Sequence, residues 1–327
     1  MAHYLVTGCA GFIAARVTQM LVEAGHTVTG IDNLNDAYDR RLKHWRLEQL
    51  RPLSGFQFAE ADISDNRQLS PLWAASPKPD AIFNLAARAG VRQSVENPGI
   101  YFDTNVSGTL NLLELARQSG VNRFLLASTS SLYGSHNAMP YREDCDTGRP
   151  LSPYAASKKA AEALCYSYHH LYGMNVAIPR YFTVYGPAGR PDMSAFRFVQ
   201  WINEGRPVTV YGDGTQSRDF TFVDDIARGT IAAGLQTNGF EVVNLGSDQP
   251  VELMGVIHNI ERMVGKTANL IFEPAHRADV SATWANIEKA KQSLGWSPRT
   301  RFEEGLQSLV AWYRDNASWA RLIETGA

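Results

Sequence analysis

The feature that most constrains this chain is a regular alternation of short apolar runs with amphipathic segments. The runs read HYLVTG, TVTGID, FQFAEAD, AIFNLAA, RFLLAST, NVAIPRY and EVVNLG. Segments such as AARVTQMLVEAG and TNVSGTLNLLELARQSG lie between them, with the apolar spacing of helices. Strands that alternate with helices form a parallel sheet covered on both faces. We therefore predict an α/β fold with a doubly wound, Rossmann-type parallel sheet.

The alternation weakens after residue 182. Pro/Gly-rich loops such as TVYGPAGRPDM follow, and amphipathic helices return late in VELMGVIHNIERMVG and FEEGLQSLVAWYRDN. We predict a nucleotide-binding domain over residues 1–182, to which residues 225–246 return. A smaller, interleaved α/β region over residues 183–224 and 247–327 is predicted to bind the substrate.

Composition excludes several classes of protein. The 327 residues carry a formal net charge of −2 at pH 7, which is unlike a general nucleic-acid-binding protein. No apolar run reaches the roughly 20 residues of a membrane span, and the first residues enter a strand pattern without a signal peptide. The three cysteines have no metal-ligand spacing, so we expect a cytoplasmic protein without a metal site. The basic stretch DRRLKHWRLEQLR is predicted to form the solvated face of a helix.

The first strand runs into TGCAGFIAARV, which places Gly8, Gly11 and Ala14 at the positions of a dinucleotide-binding turn. Glycine permits the tight turn and lets backbone N–H groups approach a pyrophosphate at a helix N-terminus. Asp32 ends the second strand, 21 residues after Gly11, where it can accept from a ribose hydroxyl. Its charge would repel a 2′-phosphate, so we predict NAD rather than NADP as the cofactor.

Two later strand ends extend this cofactor site. Asp62 and Ile63 are predicted to lie beside the adenine, and Ala86 and Ala87 beside the middle of the cofactor. Lys43, in the basic stretch, either reaches the cofactor or is a solvated lysine.

The stretch LSPYAASKKAAEAL opens like a helix and carries Tyr154 and Lys158 on one face, because residues four apart are helix neighbours. Bringing the pKa of a tyrosine from about 10 to about 7 takes roughly 4 kcal/mol. A helix N-terminus offers about 1–2 kcal/mol at most. A cation at about 4 Å offers roughly 4 kcal/mol at an effective dielectric constant of about 20. Lys158 and a cationic nicotinamide can therefore make Tyr154 a general base for an alcohol that loses its hydrogen as hydride.

The preceding strand ends in the hydroxyl cluster Ser128, Thr129, Ser130 and Ser131. Ligands of α/β proteins bind at the carboxyl ends of strands, so a hydroxyl here can orient the substrate alcohol. A serine-rich turn that caps a helix is the alternative.

Together, TGCAGFI, IDN, STSSLYG and YAASK resemble the extended short-chain dehydrogenase/reductase family. Within it, NLAARAGVRQSVENP, RYFTVYGPAGRPDM and YGDGTQSRDFTFVDD resemble the UDP-glucuronate 4-epimerases. The resemblance implies tightly held NAD, a Tyr154–Lys158 pair assisted by Thr129, a UDP-sugar substrate and a homodimer. Three features depart from the family pattern. Ala14 replaces the usual third glycine, Cys9 stands where the common pattern often has another glycine, and Arg277-Ala278 stands where relatives usually carry Pro-Gly.

The predicted site divides into three sets. The catalytic residues are Tyr154, Lys158, Thr129, Ser128 and Ser130. The cofactor residues are Gly8, Gly11, Phe12, Ile13, Asp32, Asn33, Lys43, Asp62, Ile63, Leu85, Ala86, Ala87, Tyr154, Lys158 and Tyr181. The substrate residues are Arg88, Ser130, Thr183, Arg190, Tyr211, Arg218 and Asp279.

Relatives that act on neutral hexoses resemble RYFN, with asparagine where Thr183 stands. Arginine forms a fork that matches a carboxylate, so we expect Arg190 and Thr183 to hold the C6 carboxylate of the sugar. A surface ion pair is the alternative for Arg190. The resemblance implies that Arg218 and Asp279 contact the diphosphate and the nucleotide, although Arg218 can instead pair with Asp219 or Asp224.

The expected reaction is the 4-epimerisation of UDP-glucuronate to UDP-galacturonate through a 4-keto sugar. Related decarboxylases carry glutamate at Ser131, and related 4,6-dehydratases carry Asp-Glu at Ser130 and Ser131. General acid–base work at C5 or C6 needs a carboxylate in reach, so its absence favours epimerisation. The alternatives are a UDP-glucuronate decarboxylase, an epimerase of a neutral UDP-hexose, and, more remotely, a non-catalytic NAD-binding sensor.

Overall fold

The computed structural model describes residues 1–275 and 280–326. The strands are β1 (His3–Thr7), β2 (Thr27–Asp32), β3 (Phe56–Glu60), β4 (Ala81–Asn84), β5 (Arg123–Leu126), β6 (Ser128–Thr129), β7 (Asn175–Tyr181), β8 (Thr183–Tyr185), β9 (Pro207–Tyr211), β10 (Ser217–Phe222), β11 (Phe240–Leu245), β12 (Pro250–Glu252) and β13 (Asn269–Glu273). The helices are α1 (Phe12–Glu23), α2 (Arg40–Leu50), α3 (Asn66–Ala75), α4 (Val91–Glu96), α5 (Gly99–Phe102), α6 (Gly108–Gln118), α7 (Pro153–Tyr172), α8 (Ser194–Glu204), α9 (Val223–Gln236), α10 (Leu253–Val264), α11 (Glu288–Leu294), α12 (Phe302–Asp315) and α13 (Ala317–Ala320). A π-helical segment (Asp103–Ser107) joins α5 to α6, and a 3-10 helix (Ser130–Tyr133) follows β6.

The main sheet has parallel strands in the order β3-β2-β1-β4-β5-β7-β11, and β6 pairs with β7. The chain order reverses between β1 and β4. A crevice for a ligand opens at the carboxyl ends of the strands at such a point. The predicted doubly wound parallel sheet is therefore confirmed.

Successive strand residues pack on opposite faces of this sheet. Leu5 and Ile82 belong to the core that α6 and α7 cover, whereas Val6 and Phe83 belong to the core that α1 and α9 cover. The strands are buried on both faces, which explains why they read as continuous apolar runs.

Helix α7 begins as its sequence predicts. Ser152 is the N-cap and its hydroxyl accepts from the Ala155 N–H at 3.2 Å, while Pro153 takes the first helical position. The helix ends at Tyr172 and is capped by Gly173, whose φ of 66° is easily reached by glycine. The cap fixes where Tyr154 and Lys158 lie relative to the sheet.

The later part of the chain forms two small sheets, β8-β10-β12 and β9-β13. Helices α8, α10 and α12 pack with them around a separate core that includes Phe196, Ile257 and Leu309. Residues from Ala285 to Trp296, including those of α11, instead pack into the core of the main sheet. The proposed division into domains stays a prediction, and this segment lies across its boundary.

Helix α2 differs from the solvated face that its basic sequence predicts. Lys43 and Arg46 are buried, because α2 lies between the two regions: Leu47 packs into the core of the main sheet and Leu42 into the later core. None of the helices in the described part of the chain is long and apolar enough to cross a membrane.

Candidate active site

A cavity of about 340 Å³ lies at the carboxyl ends of the main strands. All of the predicted cofactor and catalytic residues line it: Gly8, Gly11, Phe12, Ile13, Asp32, Asn33, Lys43, Asp62, Ile63, Leu85, Ala86, Ala87, Ser128, Thr129, Ser130, Tyr154, Lys158 and Tyr181. Thr183 and Arg190 line it as well. The fold thus brings the predicted cofactor and sugar sites into one space.

The turn between β1 and α1 requires glycine at two positions. Gly8 has a φ of 71°, and a Cβ there would lie 2.8 Å from the backbone of Ala86. A Cβ on Gly11 would lie 2.8 Å from the Gly8 carbonyl oxygen. The two departures nearby are both buried: Ala14 packs in the core, and Cys9 packs against Gly30. The backbone N–H groups at the start of α1 therefore remain open to a pyrophosphate.

Asp32 stands at the end of β2, as predicted, but its carboxylate also holds the surrounding loops. One oxygen accepts from the Ala10 N–H at 3.2 Å and the other from the Leu34 N–H at 2.8 Å. Lys43 lies 3.5 Å from the second oxygen and donates to the Asn35 side chain at 3.1 Å. Lys43 is thus a buried lysine on the cavity wall rather than a solvated one.

Asp62 and Asn33 face each other across the ends of β2 and β3. The Asn33 amide donates to the Asp62 carboxylate at 2.7 Å, and Ser64 donates to it as well. Burial raises the pKa of Asp62, but the hydrogen bonds from Ser64 and Asn33 together outweigh this effect, so the pKa is lowered. The pair is a polar edge that suits a ribose or an adenine.

Tyr181 also lines the cavity, although its hydroxyl points into the core. It shares a hydrogen bond of 2.9 Å with the Thr230 hydroxyl. A cofactor can therefore contact the ring of Tyr181 rather than its polar end.

Tyr154, Thr129 and Lys158 meet where α7 starts above the ends of β5 and β6. The Lys158 ammonium donates to the Ala127 carbonyl at 2.9 Å, and only 3% of the residue is exposed. Thr129 hydrogen bonds the Tyr154 hydroxyl. The Thr129 oxygen also accepts from the Ser131 N–H at 3.1 Å, which fixes its position.

The protein chain by itself does not lower the pKa of Tyr154, and the predicted lowering by Lys158 together with a cationic nicotinamide stays a prediction. Burial raises this pKa, and the opposing effects of the Thr129 hydrogen bond and the Arg190 charge are smaller. Burial also lowers the pKa of Lys158 to about 8, against the attraction of Glu162. Lys158 is therefore charged at neutral pH, but a Tyr154 base needs further positive charge in the cavity.

A buried ion pair below this site was missed by the sequence analysis. Glu162, one helical turn after Lys158, receives two hydrogen bonds from Arg180 at 3.0 and 2.8 Å. The Ser128 hydroxyl donates to the same carboxylate at 2.6 Å. Ser128, predicted to be catalytic, is thus held by Glu162, and its proton is not directed at a substrate. The i, i+4 spacing of Lys158 and Glu162 is the sequence signal that could have revealed this group.

Arg190 lies in the cavity wall with part of its guanidinium already engaged. Its Nε donates to Asp192 at 3.0 Å, and its Nη2 donates to Asp192 at 2.5 Å and to the Ala89 carbonyl at 3.2 Å. The pairing was the predicted alternative, although it is part-buried rather than a surface contact. Arg190 lowers the pKa of Asp192 even though burial raises it. Within the described residues the Nη1 group of Arg190 makes no hydrogen bond to the chain, so it can serve a ligand, and Thr183 lies in the same wall.

Three predicted substrate residues lie outside the cavity lining. Arg88 approaches Asp36 at 3.8 Å. Tyr211 is covered by the Arg92 guanidinium, 4.0 Å from the ring centroid. Arg218 donates to the carbonyls of residues 217 and 281, at 2.8 and 3.4 Å.

The predicted alternative partners of Arg218 are held by other groups. Asp224 pairs with Arg16 at 2.7 Å, and the Asp219 carboxylate accepts from residues 247, 248 and 285. The predicted contact at Asp279, like the departure at Arg277-Ala278, lies outside the described residues.

This fold and this cavity define the class as a dinucleotide-binding α/β enzyme of the short-chain dehydrogenase/reductase type. The chain belongs to the NAD dependent epimerase/dehydratase family, whose model matches residues 4–246. The resemblance inferred from the sequence motifs is therefore confirmed.

Relatives with a stated activity share nearly the whole chain. A UDP-glucuronate 4-epimerase of Thermodesulfobacterium geofontis is 51% identical and covers 99% of this chain and 100% of its own length. The crystal structure of the UDP-glucuronic acid 4-epimerase from Bacillus cereus, in complex with UDP-glucuronic acid and NAD, is 36% identical with a TM-score of 0.90, covering 96% of this chain and 99% of that one. The UDP-glucose 4-epimerase of Thermotoga maritima with UDP-glucose is 30% identical with a TM-score of 0.88, again over 96% and 99%.

Proposed function

We propose that the protein is an NAD-dependent 4-epimerase that interconverts UDP-glucuronate and UDP-galacturonate. One observation carries the proposal: Tyr154, its partner Thr129 and Arg190 line the same cavity as the dinucleotide turn. In the described part of the chain, the carboxylates that line this cavity are Asp32 and Asp62, at the ends of β2 and β3. The part of the cavity that would hold the sugar, around Tyr154 and Arg190, thus has a phenol and a guanidinium in its wall but no carboxylate among the described lining residues.

The residues present fit the cofactor. The glycine turn leaves room for a pyrophosphate, Asp32 stands at the end of β2, and Lys158 lines the same cavity as Tyr154. NAD, when bound, supplies the capacity to accept hydrogen from C4 of the sugar and return it, together with positive charge near the phenol. The chain supplies the proton transfers.

Tyr154 accepts the proton of the C4 hydroxyl as the 4-keto sugar forms, and it returns that proton after the ring has turned over. Thr129 orients the alcohol, because its oxygen is already placed by the Ser131 N–H. Lys158, charged at neutral pH, stabilises the phenolate.

Thr183 and Arg190 are the proposed contacts for the C6 carboxylate. Asp192 and Ala89 occupy one edge of the guanidinium and so fix the direction of the other edge. A charge-assisted hydrogen bond from this free edge would select a uronate over a neutral hexose.

The relatives support this substrate. The Thermodesulfobacterium and Bacillus cereus proteins are named as acting on the uronate, and both align over nearly the whole chain. The UDP-glucose epimerase of Thermotoga maritima is the most relevant competing example, and it differs in its named sugar rather than in its fold.

The test is to incubate the protein with UDP-glucuronate and to follow the products by proton NMR, with Tyr154→Phe as the inactive control. We expect UDP-galacturonate with little UDP-pentose. UDP-xylose as the main product would replace this proposal with the decarboxylase alternative, and no turnover with bound NAD would favour the sensor.

A homodimer and a cytoplasmic location are also proposals. Large apolar side chains are exposed along α7, at Tyr166, Leu171 and Tyr172, and a second copy of the chain could cover them. Sedimentation analysis at micromolar concentration would reveal a monomer if the dimer proposal is wrong.

A further inference from the structure

Arg46 is a buried cation that no part of the proposed mechanism uses. It is 3% exposed, and its hydrogen bonds within the described part of the chain go to neutral oxygens. Nη1 donates to the Ala10 carbonyl at 2.9 Å and to the Tyr38 hydroxyl at 2.8 Å. Nε and Nη2 both donate to the Ala188 carbonyl, at 3.1 and 2.6 Å, and Nη2 reaches the Gly189 carbonyl at 3.3 Å.

Within residues 1–275 and 280–326, Arg46 lies within ion-pair distance of no carboxylate. Burying a charge without a counter-charge is costly, and neutral carbonyls compensate for only part of that cost. An apolar residue at this position would avoid the cost altogether. The arginine is therefore best explained by what its hydrogen bonds hold in place.

The carbonyls on one side belong to a strained turn. Ala188 has a φ of 51°, a left-handed conformation that is unfavourable for a residue with a Cβ. Arg46 donates twice to the oxygen of this residue, and Arg190 follows two residues later. The strained backbone that aims Arg190 is thus held by the Arg46 fork.

The carbonyl on the other side belongs to the cofactor turn, at Ala10, between Gly8 and Gly11. One guanidinium therefore joins the turn that receives the dinucleotide to the loop that presents Arg190. A lysine cannot reproduce this geometry, because its three donors leave from a single nitrogen atom.

We propose that Arg46 is a positioning residue for substrate selection: it fastens the loop at residues 186–190 to the cofactor turn and so aims Arg190 at the sugar carboxylate. The inference rests on the proposed function, because it takes the carboxylate of UDP-glucuronate as the group that Arg190 meets.

The test compares Arg46→Lys with Arg41→Lys, a matched control in the same helix whose side chain is 43% exposed and pairs with Asp39. Both are made in the Tyr154→Phe protein with NAD bound, so that ligands bind without turnover. Dissociation constants for UDP-glucuronate and UDP-glucose are measured by calorimetry, and thermal unfolding is followed in parallel.

We expect Arg46→Lys to weaken UDP-glucuronate about tenfold, which corresponds to about 1.4 kcal/mol. UDP-glucose should change by about twofold or less, and Arg41→Lys should change neither ligand. Equal weakening of both ligands, or no weakening of either, would overturn the inference. If the parent protein itself does not prefer UDP-glucuronate to UDP-glucose, the proposed uronate specificity fails first, and that result is visible before any Arg46 variant is made.

The strained turn gives a second test. Glycine adopts a left-handed φ without the steric cost of a Cβ, so the loop should depend less on Arg46 in an Ala188→Gly background. We expect Arg46→Lys to cost less affinity for UDP-glucuronate there. An equal loss in both backgrounds would refute the argument from Ala188. The same background provides a more tolerant host if Arg46→Lys alone folds poorly.

Discussion

Replacing Glu162 with glutamine tests whether the buried ion pair below the active site sets the charge of Lys158. Glu162 accepts two hydrogen bonds from Arg180 and one from Ser128, all between 2.6 and 3.0 Å. Burial lowers the pKa of Lys158, and Glu162 opposes this effect, so that the pKa stands at about 8. The substitution removes the negative charge with little change in side-chain volume.

The first consequence is a loss of stability. Removing one partner of a buried ion pair leaves the other charge uncompensated, at a cost of about 3–5 kcal/mol. Removing both partners is often close to neutral, so Glu162→Gln with Arg180→Met should recover most of the free energy of unfolding. The double variant still lacks the Glu162 carboxylate, which raises the pKa of Lys158.

The second consequence is a shift in pH dependence, whose sign follows from the lysine. Lys158 is charged below its pKa and loses its charge as the pH rises through about 8. Without Glu162 this pKa falls further, so the charge is lost at a lower pH. The alkaline limb of the kcat/KM profile should therefore move to lower pH in both the single and the double variant.

The assay is the pH profile of kcat/KM for UDP-glucuronate, together with denaturant unfolding at neutral pH. Glu114→Gln is the matched control, because Glu114 forms a more exposed pair with Arg117 at 2.8 Å, outside the cavity lining. An alkaline limb that stays in place in the stable double variant would refute the role assigned to Glu162, whatever the loss of stability.

Three further predictions concern the site itself. Tyr154→Phe should keep the fold and the bound NAD but lose turnover by orders of magnitude, so a near-normal rate would remove its assignment as the base. Arg190→Ala should weaken UDP-glucuronate by about 2–5 kcal/mol relative to UDP-glucose, and equal weakening in calorimetry would exclude a carboxylate contact. Because Asp32 would repel a 2′-phosphate, protein stripped of its cofactor should bind NAD more tightly than NADP; equal affinities would contradict this role.

The sequence predicted the parts of the molecule that depend on local pattern. The alternating apolar runs predicted the parallel sheet, and the spacing of Gly8 and Gly11 predicted the turn. Ser152 and Pro153 predicted where α7 starts. Each of these depends on residues close together in the chain, so no tertiary information was needed.

The missed features depend on distant segments meeting. Glu162 pairs with Arg180 only because β7 runs back beneath α7, and Arg46 reaches residue 188 across 142 positions of the chain. Burial raises the pKa of Tyr154 in the chain without a cofactor, and this burial could not be read from the spacing of Tyr154 and Lys158. Charge pairs can be inferred from sequence, but the desolvation that opposes them depends on the packed structure.

The acids nearest the sugar end decide between epimerisation and loss of carbon dioxide. Glu162 is tied to Arg180, and Asp192 is tied to Arg190. The 4-keto uronate is a β-keto acid, and its decarboxylation leaves an enolate that needs a proton at C5. Tyr154, the proposed proton carrier, is committed to the oxygen on C4. The described site therefore has no evident proton donor for that branch.

Replacing Ser131 with glutamate would place an acid in the cavity wall. In the parent protein, the Ser131 hydroxyl lies within hydrogen-bonding distance of the Thr129 hydroxyl. We expect this variant to raise the UDP-pentose fraction, because protonation of the enolate would draw the 4-keto sugar towards decarboxylation. Ser131→Gln is the control of equal size without an ionisable group, and the measurement is the ratio of UDP-pentose to UDP-galacturonate by proton NMR. Each 1.36 kcal/mol by which the acid lowers the barrier of this branch should multiply that ratio about tenfold. A ratio that rises equally in both variants would show that space or displaced water, rather than the acid, controls decarboxylation, and the argument from absent acids would then fail.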